Sequence, residues 1–281
     1  MKLTVEEFIK LRNIIYDKAG IFFETKKIYF FNKRLEKRME ELSLTDVEEY
    51  CNILKYKDRS GQEIQTILNL MTTNETYFYR EENQLNVFRD YCLPEVLDYK
   101  RKAHNHRLKI WCAGCSSGEE AYTLAILLRE KLIDLQSWQV ELLAGDIDTD
   151  VLKIAREGLY PQRAIRFVTP YILSKYFTNS GDNYQVIPVV KQMVQFQHLN
   201  LMDSLKMRLV RNVDFVFCRN VLIYFDDVSR KSVVANFYDS LNPGGYIYLG
   251  YSESITRIST AFNIKRAGGL IVHQKAPLQE V

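Results

Sequence analysis

The sequence predicts an α/β domain on a mostly parallel sheet, with a small antiparallel insertion and an all-helical segment in front of it. Three observations carry that expectation. Up to about residue 100, apolar residues recur at helical spacing. From residue 107, short apolar runs alternate with amphipathic helix patterns, as strands joined by crossover helices do. Residues 184–199 hold two β-rich runs with no helix read between them.

In chain order, three S/T-x-x-E boxes mark helix starts: Thr4 with Glu7, Thr45 with Glu48 and Ser60 with Glu63. Val5, Phe8, Leu11 and Ile15 share one face of the first helix, and Ile28, Phe31, Leu35 and Leu42 one face of the next. With the helix NQLNVFRDYCLPEVL they suggest a small bundle, followed by a solvated connection, KRKAHNHRLK (100–109). Strands are expected at Leu108–Ala113, Val140–Gly145, Val213–Cys218, Tyr246–Gly250 and Leu270–Gln274, with helices beginning near Glu119, Thr149, Thr169 and Asp227. The run YQVIPVVKQMVQFQHL (184–199) reads as the inserted hairpin. The expected division is a helical domain at 1–80, a linking helix and connection at 81–106, and the sheet domain at 107–281 with its insertion at about 178–198.

A chain of 281 residues that is 47% hydrophobic and 26% charged can bury a sizeable core. No stretch approaches the roughly 18 consecutive apolar residues of a membrane span. MKLTVEEFIK lacks the apolar core of a secretory signal. The expected location is therefore the cytoplasm, without membrane insertion. The five cysteines (Cys51, Cys92, Cys112, Cys115 and Cys218) are odd in number and read as thiols in that reducing compartment. A net charge of +3 is too small to argue for nucleic acid.

The turn CAGCSSGEEA (112–121) admits several chemistries. A redox pair needs Cys112 and Cys115 at a helix N-terminus, but Cys112 falls inside the preceding strand. Zinc would need a second CxxC or a spaced histidine pair, and His104 and His106 stand alone. A P-loop is excluded because no Gly-Lys-Ser/Thr follows. A dinucleotide fingerprint needs three glycines, and the turn has only Gly114 and Gly118. The helix instead opens with Glu119 and Glu120, which repel phosphate and welcome a cation. A cofactor with an ammonium and a sulfonium but no phosphate is S-adenosylmethionine. In ELLAGDIDTD, Asp146 ends the next strand, where a doubly wound fold offers an acid to ribose hydroxyls. Asp146, Asp148, Asp150 and Glu157 also match calcium-loop positions, yet Val151 stands where glycine is required. Asp148 and Asp150 read better as caps of the following helix.

Five blocks then match a family: TTNETYFYRE (72–81), GCSSGEEAYTLA (114–125), AGDIDTDVLKIAREGLY (144–160), FVFCRNVLIYFD (215–226) and LNPGGYIYLGYSES (241–254). In this order and spacing they resemble the CheR family of chemotaxis-receptor glutamate methyltransferases, through nearly the whole chain. The resemblance implies a Rossmann-like, S-adenosylmethionine-dependent methyltransferase domain with an inserted β-subdomain, behind a helical domain that docks on the receptor. It implies S-adenosylmethionine as cofactor and the cytoplasmic methylation helices of chemotaxis receptors as partners. Neither metal nor nucleic acid is expected, and the chain is expected to act as a monomer.

Carried over block by block, Asn74, Thr76 and Arg80 should contact the cofactor, with Glu120 from the turn and Asp146 on the ribose. Asn200 and Leu201 would flank the adenine, Arg219 and Asn220 line the pocket, and Tyr224 lie near the methyl group. Arg80 and Tyr224 are the residues expected to position the reacting groups; Arg80 pairing with the cofactor's own carboxylate is the alternative. Without the resemblance, Asn74 reads as a loop cap, Arg80 as a surface ion pair and Tyr224 as a core aromatic. In some members the β-subdomain grips a short peptide at the receptor C-terminus, and TNSGDNYQVIPVVKQ is compact here. The second helix carries Lys26, Lys27, Lys33, Arg34, Lys37 and Arg38 against the single acid Glu36. Alone this is a solvated face; under the resemblance, Lys27, Arg34, Lys37 and Arg38 become candidates for docking the substrate. Two other classes stay open: an O-methyltransferase for another carboxylate, and a non-catalytic module that binds S-adenosylmethionine.

Overall fold

The structure, a computed structural model, describes residues 2–277. Its N-terminal part consists of α1 (Val5–Ala19), α2 (Ile28–Glu41), α3 (Val47–Asn52) and α4 (Gln62–Met71). The Thr4–Glu7 capping box opens α1, and Gly20 at φ +68° closes it. The other two expected boxes do not form. Asp46, one residue nearer the helix than Thr45, caps α3 by accepting from the Glu48 N–H at 2.9 Å. Glu63 turns away from Ser60 to Arg38 and Tyr50, whose partly buried donors bind a carboxylate more strongly than a frayed helix end. Phe8, Leu11, Ile15, Phe31 and Leu35 are buried together as the spacing predicts. Val5, at the outer tip of α1, is 53% exposed, and Met39 rather than Leu42 completes the buried face of α2.

The next helical run comprises α5 (Glu82–Val87), a π-helical turn (Phe88–Cys92) and α6 (Leu93–Lys102). It does not join the N-terminal bundle. Phe88 meets Phe215, Phe217 and Tyr248 edge-on, and the run belongs to the core on one face of the sheet. Apolar periodicity marks a buried face without saying which core receives it. Nor are residues 100–109 a solvated connection throughout: Lys100 is buried and pairs with the buried Asp214 at 2.9 Å.

The sheet domain follows as β1 (Arg107–Ala113), α7 (Glu119–Lys131), β2 (Gln139–Asp146), α8 (Thr149–Glu157), β3 (Leu159–Pro161) and α9 (Pro170–Tyr176). It continues with β4 (Phe177–Ser180), β5 (Asn183–Val186), α10 (Pro188–Lys191), β6 (Val194–His198), α11 (Ser204–Met207) and β7 (Val213–Cys218). The chain ends in α12 (Asp227–Ser240), β8 (Leu241–Leu249), β9 (Phe262–Ala267) and β10 (Leu270–Lys275). Among the described residues the main sheet runs β6-β2-β1-β7-β8-β10-β9, with the first five strands parallel and the last two antiparallel. Both faces are covered, so its central strands read as near-continuous apolar runs.

One expectation is corrected in detail. Residues 184–199 are not a hairpin: Pro188 starts the short helix α10, and β6 beyond it returns to the main sheet, parallel to β2. The antiparallel insertion is instead the small sheet β3-β5-β4, whose hairpin is β4 with β5. Strand β9 was not anticipated, because as an outer strand it exposes Asn263, Ile264 and Arg266 and lacks a clean alternation.

Strand order reverses beside β1, with β2 on one side and β7 on the other. The carboxyl ends of strands at such a switch point leave a crevice in doubly wound folds. The helical domain closes over this one: Ile21 forms an antiparallel bridge with Phe225, and the Phe22 N–H donates to the Tyr224 carbonyl at 2.9 Å. Among the described residues no helix is long and apolar enough to cross a membrane.

Candidate active site

A cavity of about 240 Å³ opens where the ends of β1, β2 and β7 meet the helical domain. It is built around the turn after β1. Gly114 and Gly118 adopt φ of +80° and +94°, and a Cβ on Gly114 would come within 2.4 Å of Val221. Only glycine lets this turn pass so close to the end of β7. The Gly114 and Cys115 N–H groups donate to the Gly145 carbonyl, tying the turn to β2.

Asp146 ends β2 in the cavity wall and accepts from the Ser116 N–H at 2.7 Å and the Asp148 N–H at 2.9 Å. Burial pushes its carboxyl up to about 6 despite those bonds. Asp148 is a helix cap and not part of a calcium loop: one oxygen accepts from the Asp150 and Val151 N–H groups. Its other oxygen accepts from Asn74 Nδ2 and Thr72 Oγ1, both at 2.7 Å, which pins the interdomain segment to the end of β2. Asp150 pairs with Lys153. Among the described residues no cluster of three His, Cys, Asp or Glu could hold a metal ion.

The two acids opening α7 diverge. Glu119 is buried outside the cavity lining and accepts from Ser117 Oγ at 2.8 Å, with its carboxyl raised by burial. Glu120 lines the cavity, accepts from Cys112 Sγ at 2.9 Å and pairs with Arg219 at 3.0 Å. Arg219, 7% exposed, also reaches Glu81 at 3.4 Å and donates to the Arg80 carbonyl. The five cysteines are free and buried, and burial holds Cys112 and Cys115 well above the usual thiol range. That environment is unsuited to a reactive thiolate.

Asn74, Thr76, Arg80, Glu120, Asp146, Asn200, Leu201, Arg219, Asn220 and Tyr224 all line this one cavity. Arg80 Nη1 donates to the Glu75 carbonyl at 2.6 Å, and the Tyr224 hydroxyl to the Thr73 carbonyl at 3.2 Å. Asn200 uses its amide structurally, donating to the Lys18 carbonyl and accepting from the Met202 N–H. Leu201 is part of the apolar wall, with Ile147 and Leu199. Asn220 takes φ +60°, and its N–H donates to Glu253 at 2.8 Å.

The basic residues of α2 lie outside the cavity and differ from one another. Lys27 and Lys37 are exposed, while Arg34 lies 3.5 Å from the Phe30 ring centre. Arg38, only 20% exposed, is held by Glu41 and Glu63. Sequence reading missed Glu81 and Glu253 as supports of the site. Glu253 sits in the quoted YSES block, but an acid in a polar loop reads as solvated.

The donor set suits S-adenosylmethionine. Three acids, Glu75, Glu120 and Asp146, line the cavity, and no lysine lines it among the described residues. Arg219 is already neutralised by carboxylates. With Arg80 set against three acids, the lining favours hydroxyls, an ammonium and an apolar ring over a phosphate.

Two family profiles match: CheR methyltransferase, all-alpha domain, over residues 6–72, and CheR methyltransferase, SAM binding domain, over residues 74–268. The chain is 39% identical to chemotaxis protein methyltransferase 2 of Vibrio cholerae, covering 94% of this chain and 91% of that one. It is 35% identical to the chemotaxis protein methyltransferase of Borreliella burgdorferi, covering 91% and 90%. For that of Escherichia coli the figures are 32%, 94% and 90%. With S-adenosylmethionine as its cofactor, this chain belongs to the CheR family of methyltransferases.

Proposed function

We propose that the chain methylates glutamate side-chain carboxylates on the cytoplasmic methylation helices of chemotaxis receptors, giving glutamate methyl esters and S-adenosylhomocysteine. The observation that carries this reading is the composition of the cavity. Cofactor-type acids share it with Arg80 and Tyr224, and among the described residues neither a histidine nor a lysine lines it.

The cofactor supplies an electrophilic methyl group on a sulfonium. A glutamate with a pKa of about 4.3 is already ionised at neutral pH, so the protein need not remove a proton from it. The reactants neutralise each other's charge as they meet, so water stabilises them apart. The chain's work is to exclude water and align the groups. Asp146 would accept from the ribose hydroxyls and Glu120 would face the ammonium. Leu201 and Asn200 would flank the adenine, while Asn74, Thr76, Arg219 and Asn220 shape the remaining wall. Tyr224 and Arg80 hold the incoming carboxylate, and Lys27, Arg34 and Lys37 on α2 guide the acidic helix toward it.

The test is methyl transfer from labelled S-adenosylmethionine to receptor-bearing membranes, with calorimetry of cofactor binding. Label should appear on receptor and leave as volatile methanol in alkali, as an ester does. Alkali-stable label, or none on receptor while the cofactor binds, sinks the reading.

A further inference from the structure

Arg163 and Arg166 have no part in the site described above. They lie in and just after the 3-10 turn Gln162–Ile165 that follows β3. Both are exposed, and among the described residues neither has a carboxylate within ion-pair distance. Arg163 only feels the buried Glu119 from farther away. The Arg166 guanidinium stands 3.9 Å from the Tyr77 ring centre and 5.1 Å from that of Phe167, and these two rings lie 5.3 Å apart. The Arg80 guanidinium is 5.7 Å from the same Tyr77 ring. Since Arg80 lines the cavity, one unbroken set of contacts leads from the reaction site to an exposed surface.

Each element of this surface suits an acidic partner. Arg166 spends Nη1 on the Arg163 carbonyl at 3.0 Å, and a guanidinium stacked on an aromatic face has further N–H groups to offer a carboxylate. Phe167, 56% exposed beside unpaired arginines, gives the patch the arginine and aromatic character of interface centres. We propose that Tyr77, Arg163, Arg166 and Phe167, adjoining Arg80, form a second docking surface, separate from α2, that grips acidic residues of the methyl-accepting helix next to the glutamate being modified. The inference rests on the glutamate-methylation reading. On a helix, residues three or four apart have Cβ atoms about 5–6 Å from each other. Arg166, sharing the Tyr77 ring with Arg80, can engage such a neighbour while Arg80 holds the acceptor.

The test compares the full-length protein with Arg163→Glu/Arg166→Glu, using a soluble acidic helical fragment of a chemotaxis receptor. A matched fragment has the glutamates flanking the acceptor replaced by glutamine. In the double variant KM for the acidic fragment should rise about tenfold or more, with kcat and cofactor affinity changed less than about twofold. The matched fragment should lose most of that difference. Fluorescence anisotropy of fragment binding, which needs no turnover, should weaken in parallel. Binding that weakens while no variant methylates anything would retain the surface and reject the reaction. An unchanged KM and unchanged binding in a folded variant overturn the surface. So does a loss confined to anionic lipid vesicles, which would assign the patch to a membrane. Should the double variant fail to fold, Arg166→Gln provides the same comparison.

Discussion

The buried Arg219 pairs with the half-buried Glu120 at 3.0 Å in the wall of the cavity, and the same guanidinium reaches Glu81 on the interdomain segment. One arginine thereby joins the end of β7, the start of α7 and the entry to α5. Removing one partner from a fully buried pair costs about 3–5 kcal/mol, and the half-buried carboxylates here, at an open cavity, bring the cost below that range. Arg219→Ala should lower the unfolding midpoint in urea accordingly. Glu120→Gln should keep the thiol bond in part but weaken cofactor binding, read by calorimetry. An Arg219→Ala protein as stable as wild type would show that water screens this pair.

Asp146 should make cofactor binding depend on pH. Its carboxyl is raised to about 6 by burial, so it is ionised at neutral pH and protonated below that value. Ribose hydroxyls donate, and the ionised form is the better acceptor. Affinity should therefore fall as pH drops from about 7 to 5. Stability of the cofactor-free protein moves the other way, since the folded state holds the proton more tightly. The contribution is fully present below the unfolded value and is lost as pH rises through about 6. Asp146→Asn should bind about 10- to 100-fold more weakly at pH 7.5, with a flatter profile. Equal affinity at pH 7.5 would take Asp146 out of the cofactor site.

What the sequence disclosed follows physical lines. β7 was legible to the residue because a strand covered on both faces, VDFVFC, is apolar except for Asp214, which is buried in an ion pair with Lys100. β6 was not, because VQFQH alternates like an outer strand anywhere and Pro188 looked like a break within a hairpin, not a helix start. The cavity lining was legible because its chemistry sits in short local blocks. Its supports were not: Glu253 reaches back across the fold to Asn220, and no local pattern foretells that contact.

Glu253 is expected to position the loop that carries Asn220 and Tyr224. It accepts from the N–H groups of Asn220 at 2.8 Å, Gly250 at 2.7 Å and Ile223 at 3.2 Å, in surroundings that raise its carboxyl by burial. Glu253→Ala would strand these donors at about 1–3 kcal/mol for each one left buried without water. kcat should fall more than cofactor KM rises, because Tyr224 is displaced while Asp146 and Glu120 stay in place. Glu253→Gln, with one carbonyl oxygen left, should recover part of kcat. A loss of stability with kcat untouched would reduce Glu253 to a structural residue.

Cys112→Ser with Cys115→Ser should retain most transfer activity. A serine at position 112 can still donate to Glu120 as the thiol does. Both thiols are buried and held well above their usual range, so iodoacetamide should label neither in the folded wild type. Rapid labelling that abolishes activity would return the CxxC pair to the mechanism.

The basic face of α2 is the last element to test. Lys27 and Lys37 are exposed and Arg34 lies against Phe30, whereas Arg38 is held by Glu41 and Glu63 and supports the packing of α4. The two kinds of residue should therefore respond differently. Arg34→Glu with Lys37→Glu reverses one exposed charge and one stacked on Phe30, neither of them ion-paired among the described residues, so it should slow receptor methylation several-fold at low salt and flatten its salt dependence. The unfolding midpoint and cofactor affinity should hardly move. Arg38→Ala should instead destabilise the helical domain by about 1–3 kcal/mol, because Glu63, which accepts from both Arg38 and the Tyr50 hydroxyl, loses its guanidinium. Its effect on methylation should shrink when assayed well below the melting range. If the double reversal methylates receptor at the wild-type rate in low salt, α2 is a solvated surface and docking rests on other residues.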